Sequence, residues 1–447
     1  MTDSLTERIN SLMPQAKADL AELVAIPSVA DARQYPPEHC HEAAAWVANA
    51  FRDLGFADVE LADTIDGSKA VIGHRPGPAG APTVLLYSHY DVQPPLDDKA
   101  WTSPPFELTE RDGRWYGRGS ADCKGNIVMH LTALRALGDD IPVNLVLVAE
   151  GSEEQGTGGL EDYVPKHADQ LRADTILVCD AGNAAVGRPA ATITLRGIAN
   201  VTVTVTSLHS AMHSGMFGGP APDALAALVH ILSTLRDADG NTTVDGLDNT
   251  QTWPGAPYDP DHFRSDAGML DGTRLLGDGS VADLVWARPA LTILGIDAPP
   301  VVGSAAAIQN TAAARLSLRV PPGTDPVKAQ DALVAHLEKA APWGVHVKVD
   351  RDGTGSPFQA TTTGPAYTSL ATAMQESYGT PMASLGQGGS IPLCNVFANT
   401  FPDAEIILMG VEEPRCLIHA PNESVDPTEI AHMAETEARF LRLYGAR

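Results

Sequence analysis

Apolar residues recur along this chain in two rhythms. Residues 15–25 and 41–54 carry them at every third or fourth position, which predicts two amphipathic helices. Four short runs are instead apolar at nearly every position: Thr83–Tyr87, Asn144–Ala149, Thr175–Cys179 and Glu405–Met409. Runs of strand length without polar alternation predict strands covered on both faces, as in a sheet flanked by helices. Helical stretches lie between them; Ile127–Leu137, just after Gly125, is one. The middle of the chain changes rhythm. Ala191–Thr206 and Ala312–Val320 alternate, which predicts half-exposed antiparallel strands. Pro222–Leu235 and Val327–Ala340 read as helices, and residues 238–282, rich in Gly, Asp, Asn and Pro, as a long loop region. The expected class is α/β. A larger domain, residues 1–197 and 359–447, holds a mostly parallel sheet covered by helices. A smaller α+β domain, an antiparallel sheet with two helices, is inserted at 198–358.

Composition narrows the function. With 44% apolar and 19% charged residues over 447 positions, the chain can bury a core, so disorder is excluded as its main state. Thirty basic side chains against 56 acidic ones leave a formal charge of −26. Such a chain is a poor partner for nucleic acid or an anionic membrane. The apolar runs are too short to span a bilayer. The opening residues lack a basic segment followed by an apolar one, so no secretory leader is expected. Five cysteines, 40, 123, 179, 394 and 416, form no C-x-x-C pair. A disulfide framework and a thiolate zinc site are therefore not expected, and the cytoplasm is the expected location.

The chemistry collects at strand ends. Thr83–Tyr87 runs into Ser88-His89-Tyr90-Asp91, Asn144–Ala149 into Glu150-Gly-Ser-Glu153-Glu154, and Thr175–Cys179 into Asp180. Glu405–Met409 runs into a loop that reaches His419, and a glycine-rich turn, Gly117–Gly125, carries Asp122 just before a helix. In open α/β sheets the ligand crevice lies beyond the carboxyl ends of the strands, so these residues could share one rim. Glu153-Glu154 alone would read as a solvated pair, but two adjacent acids repel and are easier to explain beside a cation. Histidines with carboxylates and no thiolate suit Zn²⁺, Mn²⁺ or Co²⁺. A carboxylate can also bridge two metals about 3.5–4 Å apart, as in two-metal hydrolases. Competing motifs fail: the chain has no H-E-x-x-H, no G-x-S-x-G elbow and no Walker A sequence, and Asp237-x-Asp239-x-Asn241 reads as a surface turn, because Thr242 replaces the glycine of a calcium loop.

Taken in order, Ser88–Pro94, Tyr116–Gly125, Glu150–Glu154, His213–Gly219, Gly388–Pro392 and His419–Glu423 resemble the M20 family of metallopeptidases, and within it the dipeptidases of the carnosinase and non-specific dipeptidase type. The resemblance covers nearly the whole chain. It implies two divalent metal ions, Zn²⁺ foremost, with His89 and Asp180 on one, Glu154 and His419 on the other, and Asp122 bridging. It implies that Asp91 orients His89, and that Glu153 is the general base that activates a metal-bridging water against the peptide bond of a dipeptide. It makes the larger domain catalytic and the inserted one a lid and dimerisation domain. In a homodimer, His213 would reach the partner's site and stabilise the oxyanion. Arg319, Ser390 and Gly389 would bind the substrate's terminal carboxylate. Three departures lie on the substrate side: Gln309, Met212 and the pair Gly386-Gln387. They leave an N-acyl amino acid amidohydrolase as the alternative. Cys123 and Cys179 read as small buried residues.

Overall fold

The computed structural model describes residues 4–447; the first three, part of the opening stretch read above for a leader, lie outside the described residues. Four apolar strands form the centre of the larger unit, in the order Asn144–Glu150, Thr83–His89, Thr175–Cys179, Glu405–Met409, all mutually parallel. Their burial is nearly complete, as expected for strands covered on both faces. The α/β class therefore holds, with a mixed sheet. Lys69–Arg75 pairs antiparallel with Asn144–Glu150 and with its own hairpin partner Glu60–Asp63. Ala190–Leu195 is antiparallel to Glu405–Met409 at the other side. A short connection fixes the direction of the hairpin Glu60–Asp63/Lys69–Arg75, whereas the other two antiparallel pairings join strands far apart in sequence.

Helices cover this sheet. The helix Lys124–Leu137 is buried at every position except Arg135, so it is a central element and not an amphipathic cover. The first helix spans Ser4–Ala25 and runs through Pro14, where the sequence pattern begins only at residue 15; buried Leu5 and Ile9 anchor its first turns. The second spans Glu38–Arg52. Pro365–Tyr378 and Pro427–Gly445 complete the layer. Among the described residues no helix is long and apolar enough to cross a membrane.

The second unit is a four-stranded antiparallel sheet in the order Ala290–Asp297, Thr311–Val320, Gly197–Thr206, His346–Gly355. Helices Ala224–Ser233 and Pro326–Lys339 pack their apolar faces on Val201, Val203, Val205, Leu316 and Leu318. Both helices start on an aspartate cap: Asp223 accepts from the N–H groups of Leu225 and Ala226, and Asp325 from those of Val327 and Lys328. The alternating run Ala191–Thr206 is two strands that meet at Arg196. Gly197 permits the passage: a Cβ there would lie 2.4 Å from the carbonyl oxygen of Gly355. The second unit spans Thr194–Gln359 and Gly386–Pro392, and the rest of the chain forms the first. The return of 386–392 to the second unit has no counterpart in the 198–358 boundaries expected from sequence. The stretch 238–282 is mostly irregular but contains the helix Pro260–Asp266, capped by Asp259.

Candidate metal centre

The four parallel strands end at one edge, and their register sets His89 beside Glu150 and Met409 beside Cys179. The residues that follow each strand therefore emerge side by side. Asp122 comes to the same place from the turn before the buried helix Lys124–Leu137.

Asp122 stands between two imidazoles. Its Oδ1 lies 3.0 Å from His89 Nε2, and its Oδ2 lies 3.0 Å from His419 Nε2. Asp180 Oδ1 is 3.2 Å from the same nitrogen of His89, and Glu154 Oε2 is 3.2 Å from that of His419. All five proposed ligands are thus brought together, with Asp122 shared. The other ring nitrogen of His89 lies 3.0 Å from the carbonyl oxygen of Asp91 and 3.3 Å from its carboxylate, so Nδ1 carries the proton and Nε2 is the free lone pair. That lone pair faces the carboxylate oxygens of Asp122 and Asp180. Such an arrangement repels itself unless a proton or a cation lies between, and the donors present fit divalent cations in two groups. Hydrogen bonds to Asp122 and Glu154 push the His419 imidazole up to about 11. Burial pushes the Asp180 carboxyl up to about 6, against the pull of His89.

Cys123 is buried, as expected from sequence, and donates to the Cys179 carbonyl at 2.9 Å. Its sulfur also lies within ligand reach of His89 and Asp180. Burial pushes its thiol up to about 12, and its proton goes to the Cys179 carbonyl.

Glu153 opens a short helical turn, Glu153–Gln155, whose main chain is pinned by Asp91: the carboxylate accepts from the N–H of Glu153 at 3.2 Å and of Glu154 at 3.0 Å. Asp91 therefore touches both His89 and the acid pair. Burial, reinforced by the charge of Asp180, pushes the Glu153 carboxyl up to about 9. On the other side Asp66 accepts from Ser152 Oγ at 2.7 Å and from the Thr157 hydroxyl, which brackets the same turn.

Two more residues hold the ligands and escaped the sequence reading, although both lie inside motifs it singled out. Gln93 donates to Glu154 Oε2 at 2.7 Å. Glu423 is fully buried and accepts four hydrogen bonds, from the N–H groups of Gly119, Ala121 and Asp122 at 2.9, 3.0 and 3.1 Å and from Arg118 Nη1 at 2.6 Å. One carboxylate thus ties the turn of Asp122 to the segment of His419, where Leu417, His419 and Asn422 all adopt positive φ. Replacing it with glutamine would turn an amide –NH₂ toward donors. Glu423→Gln is expected to weaken metal binding by about 10–100-fold, read by chelator competition.

The remaining predicted residues belong to the second unit. His213 is exposed, and its Nδ1 accepts from the Gly215 N–H at 3.1 Å, which leaves Nε2 to carry the proton. Arg319 is half-buried in the strand Thr311–Val320. Gly389 and Ser390 lie in the segment Gly386–Pro392.

Histidines and carboxylates gathered at the carboxyl edge of a helix-covered sheet define a metal-dependent hydrolase. The chain belongs to peptidase family M20/M25/M40, which residues 85–443 match. It is 44% identical over 418 residues to a cysteinylglycine-S-conjugate dipeptidase of Corynebacterium striatum, covering 92% of each chain. It is 27% identical over 480 residues to a Cys-Gly metallodipeptidase of Candida albicans, covering 99% of this chain and 97% of that one. In fold it is similar to the crystal structure of human carnosine dipeptidase 1, with a TM-score of 0.83 and 24% identity over 99% of this chain and 98% of that one.

Proposed function

We propose that this metal-dependent dipeptidase hydrolyses dipeptides with a free terminal carboxylate, Cys-Gly and its S-substituted forms among them. The observation that carries the reading is Asp122 placed between two imidazoles, each of which also faces a second carboxylate. Two divalent cations, Zn²⁺ foremost and Mn²⁺ or Co²⁺ as alternatives, supply Lewis acidity toward the scissile carbonyl and the attacking water. His89 and Asp180 hold one, Glu154 and His419 the other, and Asp122 serves both. Glu153 takes the proton of the attacking water and returns it to the departing amine. Asp91 fixes the tautomer of His89 and the place of Glu153.

Arg319, Gly389 and Ser390 bind the terminal carboxylate, and the inserted unit acts as lid and dimerisation surface. Its edge strand Ala290–Asp297 exposes Ile293, Leu294 and Ile296, which supports a homodimer formed there. His213 then donates its Nε2 proton to the oxyanion in the partner's site. Lysine at both 293 and 296 is expected to halve the solution mass and to lower kcat by about 10²–10³-fold, the usual worth of one oxyanion donor, with bound metal unchanged. A monomer with full activity contradicts the role in trans. A cytoplasmic location is supported by five cysteines that are all buried and free.

The relatives support a dipeptide over an N-acyl amino acid as substrate. Turnover of Cys-Gly beside its N-acetylated form tests the choice. Preference for the free amine supports the dipeptidase, and preference for the acylated form establishes the amidohydrolase.

A further inference from the structure

Arg196 stands where the strand Ala190–Leu195 gives way to Gly197–Thr206. Its Nε and Nη1 are buried without a hydrogen-bond partner. Buried guanidinium donors are normally paired, because stripping them of water without replacement costs free energy. No acid is at hand to pair it in the returning segment, Gly386-Gln-Gly-Gly-Ser-Ile-Pro392. The charge that acts on it is that of another arginine, Arg319. Strand register sets Arg319 opposite Ile198, and Arg196 falls two residues before Ile198, on the same face and diagonal to Arg319. Burial, and secondly the charge of Arg319, lower the Arg196 guanidinium to about 10.

The returning segment closes around this pair. The Arg196 N–H donates to the Gln387 carbonyl at 3.2 Å. A Cβ on Gly388 would lie 2.8 Å from Arg196 Nη2, so bare backbone leaves the guanidinium its place. Ser390 Oγ lies 3.7 Å from where a Cβ of Gly355 would be, and Gly355 pairs with Ile198. Two arginines, a serine and a glycine main chain are therefore gathered on one part of the second unit, with no carboxylate among them. Two like charges held so are stabilised when an anion lies between them.

We propose that Arg196 and Arg319 share one anion, the terminal carboxylate of the dipeptide, and that Arg196 is a specificity-determining residue. The inference rests on the reading that Arg319 and the 388–390 segment hold this carboxylate. It assigns the planar, bidentate part of recognition to a residue that no sequence motif had marked.

Steady-state kinetics on Cys-Gly with Arg196→Met, Arg319→Met and the double variant test it, with metal content and thermal unfolding as controls. Arg196→Met is expected to raise KM by about 10–100-fold, the worth of a charge-assisted hydrogen bond, with kcat within a few-fold of the parent. Arg196→Lys, which keeps the charge and loses the fork, should raise KM less. The double variant should raise KM by less than the product of the single effects, since both residues act on one carboxylate. An unchanged KM in Arg196→Met beside a raised KM in Arg319→Met overturns the role of Arg196. Unchanged KM in both overturns the carboxylate reading beneath it. If Arg196→Met does not fold, the KM of Arg196→Lys decides: a raised value supports the assignment and the parent value overturns it.

Discussion

Glu153→Gln is expected to keep its metal and its fold while kcat falls by about 10³-fold, within the range for loss of a general base. The amide matches the carboxylate in size. The N–H groups of residues 153 and 154 still reach Asp91, so the turn keeps its place. What disappears is the acceptor for the proton of water. KM should move little, because Glu153 is assigned to the proton and not to the substrate's ends. Steady-state kinetics with metal analysis on the same sample check this. A loss under 10-fold would move the base elsewhere; Glu150, also buried with its carboxyl pushed up to about 8, already accepts from Tyr87 at 2.8 Å and would be the next to examine.

Asp122→Asn carries the second large effect. Both oxygens of Asp122 are in use, one toward each imidazole. An amide has one acceptor oxygen and presents its –NH₂ to the other site, so it cannot serve two cations. Metal content is expected to fall by at least one ion per chain and kcat by at least about 10³-fold, since the electrostatic support for the reaction is removed with it. The main chain at 122 remains anchored on Glu423, which separates loss of the ligand from loss of the turn. Full metal occupancy in this variant would show that Asp122 is not shared. Cys123, within reach of His89 and Asp180, would then be the substitute donor to test.

Most residues of the centre were legible because they follow apolar runs that burial makes unmistakable. His89, Glu153, Glu154, Asp180 and His419 are read from strand ends, and Asp122 from a glycine turn before a helix. The order of their motifs then carried the family. The supporting residues were legible only in part. Gln93 and Glu423 sit in those motifs, but polar side chains that hold other polar groups have no periodic signal, and their role lies in contacts as distant as residue 423 with residue 119. Asp66 and Arg196 lie outside any motif.

The fold shows the same division. Parallel central strands announce themselves, whereas Glu60–Asp63, mostly exposed, does not. The strand Ala290–Asp297 escaped because its register shifts between Ile293 and Gly295 and because Ile293, Leu294 and Ile296 are exposed. The alternation of Ala191–Thr206 was read correctly as strand, but alternation is blind to which sheet a strand joins, so the passage at Arg196 was hidden.

The central claim is that hydrolysis of a dipeptide depends on the ligand set around Asp122. Its most direct test is Cys-Gly hydrolysis by chelator-stripped protein during titration with Zn²⁺, with bound metal counted at each step. The account predicts no turnover when stripped, and activity that returns as occupancy approaches two ions per chain. Turnover that persists in the stripped protein, or that is complete with no metal at these residues, would contradict it.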